Sequence, residues 1–162
     1  ALFFREDQGA RPKYYCPRDL PDTPTLADVL RRPAFIATSS ILARRSFMEA
    51  LPPWRAEVLC GDLVVRLWGA HAGKIGYLRD VMSVRCRHAG GLSMRSGHRR
   101  MAAEALKAYA LFDEATQHRH HRLVRARMAF ERQHARLGSL VYLLHPGQAC
   151  QRFREYRTGA GL

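Results

Sequence analysis

The chain has 162 residues and carries 27 Lys and Arg against 14 Asp and Glu, a formal net charge of +13. A chain of this length buries one modest core, and no apolar run in it approaches the roughly 20 residues needed to span a membrane. So high a charge on so small a chain points to a nucleic-acid partner rather than to a membrane or a small-molecule substrate.

The charge is unevenly placed. Residues 1–60 hold 9 cations against 7 acids, whereas residues 61–162 hold 18 against 7 and contain all eight histidines. Only Lys13, Lys74 and Lys107 are lysine. The planar guanidinium fork suits bidentate phosphate contacts, although a GC-rich genome gives the same arginine excess. Cys16, Cys60, Cys86 and Cys150 form no CxxC pair, which argues against a zinc ribbon or a secreted disulfide framework.

Taken in order, residues 1–24 contain Pro12, Pro17, Pro21 and Pro24 and no helical or strand period. They read as an extended arm that must lie along something else. Thr25 with Asp28 is a capping box for a short helix ending before Pro33, so 1–33 is arm plus helix. In 34–53, Ser39 or Ser40 can cap a second helix whose stripe is Ile41, Leu42, Phe47, Met48 and Leu51. Pro52 and Pro53 stop it. Arg44 and Arg45 then face outward.

Residues 54–100 read as the core of a small barrel. Gly61 and Asp62 make a turn, Val64, Val65 and Leu67 a β-branched and apolar strand, and Gly69, Gly73 and Gly76 sharp bends, with positive φ expected at Gly73. Strand text continues to about Val84, and Ala89, Gly90 and Gly91 read as a hairpin loop beside Arg85, Arg87 and His88. In 101–162, the basic extension and tail, Ala102, Ala105, Leu106, Tyr109 and Phe112 recur at three- and four-residue intervals, so local propensity favours helix to about Leu137. His118, His120 and His121 lie in the densest basic run but lack the i, i+4 spacing and the carboxylate of a helical zinc site. No metal, cofactor or catalytic residue is expected. Leu140 to Leu144 is an apolar run that should be buried, and Pro146-Gly147 turns the chain into a basic tail.

Two resemblances attach to these residues. Gly61-Asp62, Gly69, Gly73, Gly76 and Val81 resemble, without a gap, the KOW motif of the universal large-subunit ribosomal protein twenty-four. Arg66 stands where that family has an apolar residue and Ala72 where it has a cation. More of the chain is similar to the bacterial-type large-subunit ribosomal protein nineteen in its organellar versions. The segments that carry this are ARRSFMEAL with Pro53-Trp54, Gly61-Asp62-Leu-Val, Arg87-His-Ala-Gly90 with Arg99-Arg100-Met101, Leu140-Val-Tyr-Leu143, and Gly147-Gln-Ala-Cys150 with Arg152. The span from Phe112 to Leu140 is longer than in that family, which would make much of 101–137 strand.

The resemblance implies an α+β fold: a small SH3-like β-barrel with an N-terminal helix, an extended arm and a basic C-terminal extension. It implies a structural constituent of the large subunit of an organellar ribosome, mitochondrial in preference to plastid, bound to ribosomal RNA and to neighbouring large-subunit proteins. The residues expected to face RNA are Lys74, Arg85, Arg87, His88, Arg95, Arg99 and Arg100 around the barrel, then Arg119, Arg122, Arg125 and Arg127, with Arg152 and Arg154 in the tail. The rival readings are the KOW ribosomal protein itself and a KOW-type transcription or RNA-processing factor. A His-dependent nuclease lacks paired carboxylates or a Ser/His/Asp arrangement to work with.

Overall fold

The computed structural model describes residues 2–5, 13–14, 21–32, 36–80, 83–87 and 97–144, without the side chains of 2–5, 13–14, 84–87, 98 and 137–144. The fold is predominantly helical. Five α-helices run in chain order as α1 Leu26–Arg31, α2 Arg45–Glu49, α3 Gly61–Ala72, α4 His98–Ala115 and α5 His121–Leu144. Three short strands, β1 Leu2–Arg5, β2 Lys13–Tyr14 and β3 Val84–Arg87, make an open ribbon in the order β2-β1-β3. In it β1 pairs antiparallel with β2 and parallel with β3.

The SH3-like barrel expected over 54–100 is not formed among the described residues. The segment read as its turn, its first strand and its first glycine bend at Gly69 is helix α3, with Gly73 as its C-cap and Gly76 beyond it, and Pro53–Glu57 before it is a 3₁₀ turn. The reason lies in which side chains find a core. A strand would bury alternate residues, whereas here Leu63, Val64 and Leu67 are buried together with Arg66, at the spacing of one helical face. Gly73 has φ −163, an extended conformation open to any residue, and its N–H closes the helix on the Gly69 carbonyl at 3.1 Å. The positive φ expected there is found instead at Gly97, φ +70, in front of α4.

Helix α1 follows its sequence signals. Thr25 accepts from the Asp28 N–H at 3.3 Å while the Asp28 carboxylate accepts from the Thr25 N–H at 2.9 Å, and Leu26, Val29 and Leu30 turn inward at i, i+3 and i+4. The second expected helix is much reduced. Thr38–Ser40 is a 3₁₀ turn, and α2 is a five-residue helix with no side-chain cap bond. Leu42, 96% exposed, lies outside it, and Met48 is also exposed. Of the proposed stripe, Leu51 is buried, while Ile41 and Phe47 are half-buried, with the Phe47 ring 3.5 Å from where a Cβ on Gly69 would stand. Arg44 and Arg45 are exposed as expected, and Arg45 pairs with Glu49.

Residues 101–137, open between helix and strand in the sequence, are helical on either side of a turn at 116–120 and make a hairpin. Asp113 meets His121, and Tyr109 meets Arg127, so α4 and α5 run antiparallel. One core joins the elements: Leu26, Val29 and Leu30 of α1, Leu63, Val64 and Leu67 of α3, Ala108, Tyr109 and Phe112 of α4, and Val124 of α5, with Val58 and Cys60. Polar ties fix the 53–60 segment onto α4. The Leu59 N–H donates to Glu104 Oε2 at 2.9 Å, the Cys60 thiol to the Glu104 carbonyl at 3.4 Å, and Lys107 Nζ to the Glu57 carbonyl at 2.7 Å. Arg66 is buried and braces the loop before α2, donating to the Ile36 carbonyl and to Asp62 Oδ2. An arginine at an apolar motif position is thus a structural tie inside a helical fold.

Candidate nucleic-acid interface

Helix α5 separates its cations onto two faces. At 100° per residue, Val124, Arg127, Met128 and Glu131 fall on the side that meets α4, and Val124 and Arg127 are buried. Arg122, Arg125, Arg132 and Arg136 fall within about 80° of one another on the solvent side, over a length of roughly 21 Å, and all four are exposed. Arg119, exposed in the preceding turn, leads into this row. Among the described residues no carboxylate pairs with any of the five. Glu131, the acid within α5, is engaged by Arg127 Nη2 at 2.7 Å. A row of uncompensated guanidinium groups costs self-repulsion unless an anion lies along it.

Arg127, expected to face RNA, is instead an interior residue. Its Nε donates to the Tyr109 hydroxyl at 3.3 Å, and its Cζ lies 4.9 Å from the Phe130 ring centroid. Burial pushes the Tyr109 hydroxyl up to about 12, against a smaller pull from Arg127. The other expected contacts fall as follows. Lys74 is exposed beyond α3, Arg99 and Arg100 are exposed in the first turn of α4, and Arg119, Arg122 and Arg125 are as above. Arg85 and Arg87 lie on β3, with side chains outside the described set. His88, Arg95, Arg152 and Arg154, the hairpin at Ala89 to Gly91 and the burial of 140–144 also lie outside the described residues.

The α4–α5 turn gathers the histidines of the basic run. Thr116 Oγ1 donates back to the Phe112 carbonyl at 2.9 Å, the His118 N–H donates to the Asp113 carbonyl at 2.8 Å, and Gln117 and His118 take φ +51 and +58. This is a left-handed helix stop built from residues other than glycine. It returns His118 over the end of α4. There both His118 Nδ1, at 2.9 Å, and His121 Nδ1, at 2.6 Å, donate to Asp113 Oδ2. Asp113 is buried, and its other oxygen, Oδ1, has no hydrogen-bond partner among the described residues. Burial works to raise the Asp113 carboxyl, but the bonds and charge of His121 and His118 outweigh it and hold the group below its ordinary range. The sequence reading found the histidines without their carboxylate, because it searched one helix at i, i+4. The available signal was D-x4-H-x2-H straddling a helix end.

His120 points elsewhere. Its Nε2 lies 3.0 Å from His71 Nδ1; His120 stacks on Phe112, while His71 meets Phe112 edge-on and lies tilted against Trp68. Burial, then the neighbouring charges of His120 and Arg119, depress the His71 imidazole. These two rings therefore join α3 to the turn through one shared hydrogen bond. Arg132 and Arg136, which complete the row, lie beyond the dense basic run 118–127 and join it only by helical spacing, a signal the density of basic residues does not show.

No family model, curated protein or solved structure matches this chain. No helix among the described residues is long and apolar enough to cross a membrane.

Proposed function

We propose that the protein is a structural RNA-binding component of an organellar ribosome, the large subunit of the mitochondrial ribosome, and that it acts through surface charge without chemistry of its own. The observation that carries this reading is the exposed arginine row Arg122, Arg125, Arg132 and Arg136 on the outer face of α5, without a carboxylate partner among the described residues and approached by Arg119. Folded RNA offers phosphates and 2′-hydroxyls across broad, shallow grooves, and a rigid helix with guanidinium groups on one stripe can meet several of them by charge-assisted bonds. The partition of charge along the chain supports the same view: the net excess of 11 in residues 61–162 (18 cations against 7 acids) belongs to the half that contains α5.

The barrel that the two ribosomal resemblances implied takes no part in this proposal, since the Gly61–Ala72 half of that motif is helix. What supports the ribosomal setting is the pairing of a strongly basic half with a proline-rich first 24 residues. Such a composition orders by threading among folded RNA and neighbouring proteins. Sedimentation of the endogenous protein through a high-salt gradient tests the setting. Comigration with large ribosomal subunits is the expected result, and recovery at the top of the gradient, free of ribosomal particles, contradicts it.

A further inference from the structure

We infer that Asp113, His118 and His121 form a binding site for a single divalent transition-metal ion, zinc by the chemistry of its ligands, which clasps the end of α4 to the start of α5. Each of the three residues offers a ligand atom, all within 4.8 Å of one another, and both Nδ1 atoms already lie against Asp113 Oδ2. They come from three consecutive pieces of structure: the last turn of α4, the left-handed turn, and the first residue of α5.

The distances suit an exchange of hydrogen bonds for metal bonds. Tetrahedral zinc holds nitrogen and oxygen ligands at about 2.0–2.2 Å, so neighbouring ligand atoms stand about 3.3 Å apart. The two Nδ1-to-Oδ2 separations, 2.9 and 2.6 Å, would open by less than about 1 Å to reach that. The carboxylate is fixed by burial, while the rings of His118 and His121 are 65% and 48% exposed and can adjust. On binding, each ring gives up its Nδ1 hydrogen and carries its hydrogen on Nε2, any surplus proton leaving to solvent, and the ion takes the place of both hydrogens at Oδ2.

An independent observation points to a cation. Asp113 is a buried carboxylate whose Oδ1 has no hydrogen-bond partner among the described residues. Buried polar atoms are rarely left so, and a divalent charge at Oδ2 offsets what the two imidazoles leave uncompensated on the other oxygen. Two imidazoles with one carboxylate favour zinc or a similar borderline ion over magnesium or calcium, which take oxygen ligands. Three protein ligands at an exposed turn leave a coordination position to water. The inference does not depend on the RNA reading.

The test uses the full-length protein with zinc chloride as the probe, followed by titration calorimetry and by the nitrogen resonances of the histidine rings. One zinc per chain is expected, with the His118 and His121 rings alone changing from the Nδ1–H to the Nε2–H form and the melting temperature rising with zinc. His118→Gln and His121→Gln remove exposed rings, and circular dichroism checks that each variant stays helical. Each should lower zinc affinity about 10-fold or more, since even outer partners of a metal site are worth that much. His134→Gln, on α5 away from the turn, should leave affinity unchanged. Rings of His118 and His121 that do not respond to excess zinc would overturn the inference. So would equal zinc affinity in the double variant His118→Gln/His121→Gln, which would place the ion elsewhere, on the cysteines for example.

Discussion

Tyr109 and Cys60 sit in the core with their protons held in place by burial. The Tyr109 hydroxyl is raised from 10.0 to about 12 and the Cys60 thiol from 9.0 to about 11, desolvation being the largest cause in both. Above pH 9 the unfolded chain loses these protons first, so it binds fewer protons than the native state, and stability falls as pH rises. The loss should run from about pH 9 to 11 for Cys60 and from about 10 to 12 for Tyr109, at roughly 2–3 kcal/mol each. Urea unfolding at pH 8, 10 and 11 measures it; a flat profile would mean that neither group is protected. In acid the sign reverses. His71, depressed in the native state, withdraws stability as pH falls below 6.5, and Asp113 does so at lower pH, below 3.8. At this scale the sequence was silent: Tyr109 was legible as a core residue from its spacing, but nothing local announced that Arg127 would turn inward to meet it. The decisive partner, Glu131, sits four residues on and binds the guanidinium along the inner face of α5.

Elements were legible where cap and period agreed. Thr25 with Asp28 gave α1 its start, and the three- and four-residue rhythm of Ala102 to Phe112 anticipated α4. Adjacent valines and closely spaced glycines in α3 favour strand and turn locally, while the outcome is decided by packing on α1 and α4 around the core that Val64 and Leu67 share with Val29 and Phe112. The break between α4 and α5 had no glycine or proline to mark it. Gln117 and His118 adopt the left-handed conformation there at a cost of about 1 kcal/mol or more apiece. Gln117→Gly should therefore raise stability by about 1 kcal/mol, less the entropy that glycine adds to the unfolded chain. Thermal unfolding of this variant is the check, and a clear loss of stability would show that the Gln117 side chain holds the turn.

For the whole molecule, the net charge and its concentration after residue 60 were plain from composition, and they survive the change from barrel to helical hairpin. What composition could not give is the arrangement. Arg66, Arg79 and Arg127 are tied to acids within the protein, whereas Arg122, Arg125, Arg132 and Arg136 share one outward stripe. Binding by such a stripe is electrostatic, so each phosphate it neutralises should add roughly 0.7–0.9 to the slope of log affinity against log salt. The most direct measurement is that slope, for structured RNA, in the native protein and in a variant with all four arginines changed to glutamine. A steep native slope that flattens by about three units in the variant, with helix content unchanged, is the expected result. Identical slopes for the two proteins, or no RNA binding at low salt, would contradict the account.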